Sequence, residues 1–151
     1  MTPLLCRVAR ASLNWTQDDL GKRSGLSLDT VKVFETGQRT PLASNRAKIQ
    51  DALWTAGIRF IEEGSQGIGV RMIGATWAAQ CRAARCLIGW THIDVSRASS
   101  VSDLTVLRLE AERFTPRRAT LITIRRALEA GGVIFLDDAG EGPGVMVKRP
   151  E

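Results

Sequence analysis

The chain has 151 residues, with 21 Lys and Arg against 16 Asp and Glu, a net charge of +5 and three cysteines. That length holds one ordinary domain or two very small ones, and no apolar run approaches the roughly 20 residues that span a bilayer. The basic balance leans towards an anionic partner, and an odd cysteine count argues against a disulfide framework. Arg7 and Arg10 interrupt the first apolar residues, which argues against a secretory leader, so the expected location is the cytoplasm.

In chain order, Pro3 to Leu13 reads as a first helix, with Leu5, Val8, Ala9 and Leu13 as its apolar stripe and Arg7 and Arg10 facing elsewhere. Thr16 is an N-cap, and Asp18 and Asp19 sit where the helix dipole favours negative charge. Leu20 faces inward, Gly21 lets a second helix cross closely, and Gly25 supplies a turn. Ser27 caps that second helix, Val31 and Phe34 form its inner face, and Gly37 ends it. Two short helices around a glycine turn describe a helix-turn-helix. Pro41 suits the start of another helix, which runs to about Ala56 with Ala47, Ile49, Ala52 and Leu53 inward. Ile58 to Ile61 and Val70 to Ile73 read as two strands around a Gly64-Ser65-Gln66-Gly67 connection.

A shift of 75 residues then aligns the chain with itself without a gap. Cys6-Arg7 falls on Cys81-Arg82, Ala9-Arg10 on Ala84-Arg85, Trp15-Thr16 on Trp90-Thr91, Ser27 on Ser102, Glu35 on Glu110 and Thr40-Pro41 on Thr115-Pro116. Phe60, Gly67, Gly69 and Val70 fall on Phe135, Gly142, Gly144 and Val145. Matches at capping, core and turn positions point to duplication. The expected fold is mainly α, with two tandem helix-turn-helix domains over residues 1–74 and 76–151, each carrying a short β-hairpin. The second hairpin is expected at Val133 to Leu136 and Val145 to Val147. Free hairpin edges invite pairing. Three options follow: one four-stranded sheet shared by the two units, a homodimer through the edges, or hairpins left solvent-capped with the units tumbling separately.

The run Trp15-Thr16-Gln17, Leu20-Gly21, Ser24-Gly25-Leu26-Ser27, Val31, Phe34-Glu35, Gly37, Arg39 and Pro41 resembles the Xre or Cro/repressor helix-turn-helix family. The resemblance covers nearly all of both halves and implies two lambda-repressor-like domains in a compact regulator of transcription that binds double-stranded promoter or operator DNA; it does not separate repressor from activator, and a repressor is the expectation. The second half departs from the pattern: Gln17 becomes His92, Gly21 becomes Ser96, Gly25 becomes Ser100 and Gly37 becomes Glu112.

In this motif the second helix enters the major groove. The expected DNA-facing set in the first half is Ser27, Leu28, Asp29, Thr30, Lys32 and Val33, with Gln17 matching the family's phosphate-contacting glutamine. In the second half it is Ser102, Asp103, Leu104, Thr105, Leu107 and Arg108, with His92 at the Gln17 position and Leu107 the oddest substitution at an outward site. Arg108 is the best base reader, because a guanidinium pairs bidentately with guanine. Arg39, Arg46 and Lys48, then Arg113, Arg117 and Arg118, are the expected phosphate clamps.

Other constellations carry less. Cys81, Cys86 and His92 are too few for zinc. Glu62-Glu63 and Asp137-Asp138 are adjacent on extended chain and point apart. Neither a metal, a cofactor nor catalysis is expected. The rival reading is a protein-interaction regulator, an anti-activator or an RNA-polymerase-contacting factor, whose second half binds protein. Leu107, Leu87 and Trp77 favour that rival.

Overall fold

The computed structural model describes residues 1–62 and 67–148, so Glu63 and most of the expected glycine-rich connection lie outside the described residues. Four helices come first, α1 Pro3–Ser12, α2 Gln17–Ser24, α3 Leu28–Thr36 and α4 Ala43–Thr55, followed by β1 Ile58–Ile61 and β2 Gly67–Met72. The same order then recurs as α5 Trp77–Leu87, α6 His92–Ser99, α7 Asp103–Glu110, α8 Arg118–Ala130, β3 Val133–Leu136 and β4 Gly144–Lys148. The result is mainly helical, with one small antiparallel sheet.

Local chemistry explains the helix limits. Thr2 and Pro3 open α1, the Thr2 hydroxyl accepting from the Leu5 amide at 3.2 Å. Thr16 and Asp19 form a reciprocal capping box on α2, and Thr91 and Asp94 do the same on α6. Ser27 and Ser102 cap α3 and α7. The left-handed positions also recur: Asn14 and Gly89, Gly25 and Ser100, Gly37 and Glu112, Gly57 and Gly132 all have positive φ. The second half therefore keeps the backbone of the first where it has lost the glycine.

The sheet runs β1-β2-β4-β3, so the two hairpins join through their inner strands. Phe60 pairs with Val70 in the first hairpin and Phe135 with Val145 in the second, an identical register in the two halves. Across the junction Val70 pairs with Val145, its own counterpart, and Gly69 with Met146 as Arg71 pairs with Gly144. That exchange of partners is what a local two-fold axis between Val70 and Val145 requires. The expected shared sheet is the arrangement found.

Beneath it, α1 packs on α5, and one apolar cluster runs through both halves, from Leu5, Leu20, Val31, Ile49 and Leu53 to Val95, Val106, Ile124, Leu128 and Val145. Several expectations need correction. Ala47 is exposed, because the inward turn of α4 is set by Ile49 and Leu53. α4 begins at Ala43, past Pro41. Strand β2 ends at Met72 and leaves Ile73 exposed, and Leu87 is buried and offers no outer surface. Trp77 is half-buried against Phe135, with ring centroids 5.9 Å apart.

Candidate nucleic-acid interface

The outer face of α2 and α3 is held in place from behind by a buried carboxylate. Glu35, 2 % exposed, accepts from Arg10 at both oxygens, Nε to Oε1 at 2.7 Å and Nη2 to Oε2 at 3.0 Å. The Gln17 amide donates to Oε2 at 2.8 Å and the Cys6 thiol to Oε1 at 3.7 Å. Arg7 donates to the Glu35 backbone carbonyl, one of the orphan acceptors at the end of α3. Arg10 also reaches the Trp15 carbonyl at 2.8 Å, so one guanidinium ties α1, the α1–α2 loop and α3 together. Burial alone would lower the Arg10 guanidinium, but the hydrogen bond and charge of Glu35 outweigh it and raise it. Arg7 and Arg10 thus point at α3 rather than to solvent.

The same cluster recurs in the second half. Glu110, 4 % exposed, accepts from Arg85 Nε at 2.9 Å and Nη2 at 2.9 Å, from the Cys81 thiol at 3.7 Å, and faces His92 Nε2 at 2.9 Å. Burial is the main cause, and the Glu35 and Glu110 charges the next, of the rise in the Cys6 and Cys81 thiols. Gln17 and His92, expected at phosphates, are thus drawn back towards α3 and α7. Sequence reasoning missed this cluster although its members, Cys-Arg, Arg and Glu, were among the matched repeat positions.

At the turn, a Cβ on Gly21 would lie 2.9 Å from the Leu26 carbonyl, whereas Leu26 N donates to Gly21 O at 2.9 Å. The second half carries Ser96 there, and Val101 N donates instead to the Ser99 hydroxyl at 3.3 Å.

On the outward face, Ser27 and Thr30 share a hydroxyl bond of 2.8 Å at the start of α3, as Ser102 and Thr105 do on α7. Asp29 and Lys32 are exposed, while Leu28, Thr30 and Val33 are half-buried. Arg39, Arg46 and Lys48 continue the exposed surface through the α3–α4 loop into α4. No ion pair engages Lys32, Arg39, Arg46 or Lys48 among the described residues. In the second half Asp103, Leu104, Arg108, Arg113, Arg117 and Arg118 are all exposed, with Thr105 half-buried. Leu104 and Leu107 are 51 % and 48 % exposed, which makes this outer face far less polar than that of α3. Arg39 has Phe114 as its counterpart, gathered with Trp77, Leu109 and Leu121 around a separate cleft.

No helix among the described residues is long and apolar enough to cross a membrane. Compared with known proteins, the sequence matches no family model and no curated protein.

Proposed function

We propose that the protein is a sequence-specific double-stranded DNA-binding regulator of transcription, and that α2 and α3 of the first half are its helix-turn-helix. The observation that carries this reading is the outer face of α3 and the loop after it: a polar helix N-terminus, Ser27 to Lys32, followed by Arg39, Arg46 and Lys48 with no ion pair among the described residues. Such a face matches phosphate oxygens on either side of a major groove. Gln17 keeps a role here because its amide has two protons, and the Glu35 bond uses one. Behind the face, Glu35 of α3 is tied to α1 by the Arg10 fork and to α2 by Gln17, and a scaffold held in this way is what base readout needs.

The test is retention of promoter-region DNA fragments across a salt series. Binding should weaken steeply with salt, because each neutralised phosphate releases counterions. Arg39→Ala with Arg46→Ala should lower the log–log slope by about two, one for each phosphate contact. An unchanged slope would remove both from the interface, and no retention at low salt would end the reading.

A further inference from the structure

We propose that the cleft where the end of α4 meets the sheet binds a small carboxylic acid with an apolar body, and that Arg59 takes its carboxylate. The cleft measures about 620 Å³, within the range of small-molecule sites. Trp54 from α4, Phe60 and Ile61 from β1 and Ile73 just past β2 supply its apolar lining, and Gly140 and Glu141 of the second half also line it. Trp54 and Ile73 are 53 % and 55 % exposed, large apolar side chains left in water. The fold does not depend on them. Their counterparts 75 residues on are Glu129 and Lys148, and that of Arg59 is Ile134, yet the second half builds the same helix–strand junction.

Arginine geometry selects the ligand. Arg10 and Arg85 each turn Nη1 to a backbone carbonyl, of Trp15 and Trp90, and give Nε and Nη2 to a carboxylate. Arg59 is held in the same way at Nη1, which donates to the Trp54 and Ile58 carbonyls, both at 2.9 Å. Its guanidinium carbon lies 3.5 Å from the centroid of the Trp54 ring, and that stacking orients the planar group. The Nε–Nη2 edge has no protein partner among the described residues, and such an edge matches the two oxygens of a carboxylate. The carboxylates that line the cleft are already engaged, Glu62 with the N-terminal amine of Met1 and Glu141 with Arg71 Nε at 3.3 Å. Arg71 is itself tied through Nη1 to the Asp137 and Gly142 carbonyls, at 3.2 and 2.8 Å. With those pairs neutral, the charge left over in the lining is that of Arg59, and a single carboxylate balances it. A dianionic phosphate would bring surplus negative charge beside Glu62 and Glu141. An acid without an apolar body would leave Trp54 and Ile73 in water.

The probe is 3-phenylpropionate, titrated against the full chain by isothermal titration calorimetry, with 3-phenylpropionamide and acetate as comparisons. The acid should bind saturably with a Kd of about 1 mM or tighter, the range open to so small a ligand. The amide, which lacks the charge, and acetate, which lacks the apolar body, should each bind about tenfold more weakly or worse. Trp54→Glu with Arg59→Ile installs the residues found at the matching places of the second half, and should abolish saturable binding. Arg59→Lys keeps the charge and loses the two-pronged edge, and should weaken the acid about fivefold or more. The proposal is overturned if the amide or acetate binds as tightly as the acid, or if saturation is not reached by about 10 mM. It is overturned equally if the double variant, folded by circular dichroism, binds the acid unchanged. Should that variant fail to fold, Arg59→Lys decides, and wild-type affinity there overturns the proposal. None of these arms contains DNA, so failure of the DNA reading is seen separately.

Discussion

A carboxylate as buried as Glu35 or Glu110 persists only while its hydrogen-bond partners replace water, and the Arg10 and Arg85 forks are the largest part of that replacement. Removing one partner of a buried pair strands the other, so Arg10→Ala or Arg85→Ala should cost about 3–5 kcal/mol in urea unfolding. Arg10→Lys keeps the charge but loses the two-pronged geometry, and should recover only part of the loss. By contrast His92→Gln installs the residue that already makes this bond at 2.8 Å in the first half, and should change stability by about 0.5 kcal/mol or less. The thiols beside the carboxylates give a pH signature. Burial raises Cys6 and Cys81 above the ordinary thiol value of 9.0. The folded chain therefore keeps protons that the unfolded chain releases near that value, so stability is full below it and falls as pH rises beyond it. The thermal midpoint should drop between pH 8 and 10 by an amount that Cys6→Ala with Cys81→Ala reduces, measured against that variant's own midpoint at pH 7.

The turns between helices isolate backbone strain from packing. Ser100 holds a φ of 57° where Gly25 holds 69°, and a Cβ on Gly25 would meet nothing within 4 Å. A left-handed non-glycine residue costs about 1–2 kcal/mol, while glycine frees the unfolded chain by about 0.4–1 kcal/mol. Ser100→Gly should therefore stabilise by up to about 1 kcal/mol, with Gly25→Ala the mirror-image loss, both read as shifts in thermal midpoint. The sequence already carried most of this level of structure. Capping residues, the 75-residue offset and the strands from Ile58 and Val133 all announced elements that the structure contains. What it hid was polar and non-local. Arg7, Arg10 and Gln17 look like solvated helix residues when read along their own segments, and only the approach of α3 turns them inward. The exposure of Leu104 and Leu107 was legible from the repeat, since they fall on the outward positions of Asp29 and Lys32 and leave the core face of α7 to other residues. Val106 and Leu109 take that place.

At the scale of the molecule the two halves meet along α1–α5 and β2–β4, and the Arg82 side chain reaches across the helical part of the seam. Arg82, 7 % exposed, donates from Nε to the Ala11 carbonyl at 2.9 Å and from Nη2 to the Ser12 carbonyl at 2.8 Å, and from Nη1 to the Glu110 carbonyl. It thereby supplies a donor to the Ser12 carbonyl at the end of α1, adds a second to the Ala11 carbonyl that already accepts from the Asn14 amide, and holds the end of α7. Along the sheet the approach is closer still. A Cβ on Gly69 would press on the Val145 carbonyl and lie 2.6 Å from the Met146 Cα, and one on Gly144 would lie 2.7 Å from the Val70 carbonyl. Backbone, not a yielding side chain, stands in the way, so Gly69→Ala should cost about 1–3 kcal/mol through overpacking. Val70→Pro with Val145→Pro is the stronger test, since proline within a central strand removes a ladder donor. Because one apolar cluster runs through both halves, the wild-type chain should unfold in urea as one transition. In the proline double variant that transition should move to lower urea and split or broaden as the halves lose their common sheet. If the variant unfolds at the same midpoint with the same slope, the β2–β4 junction contributes nothing to stability and the halves are held by α1 and α5 alone.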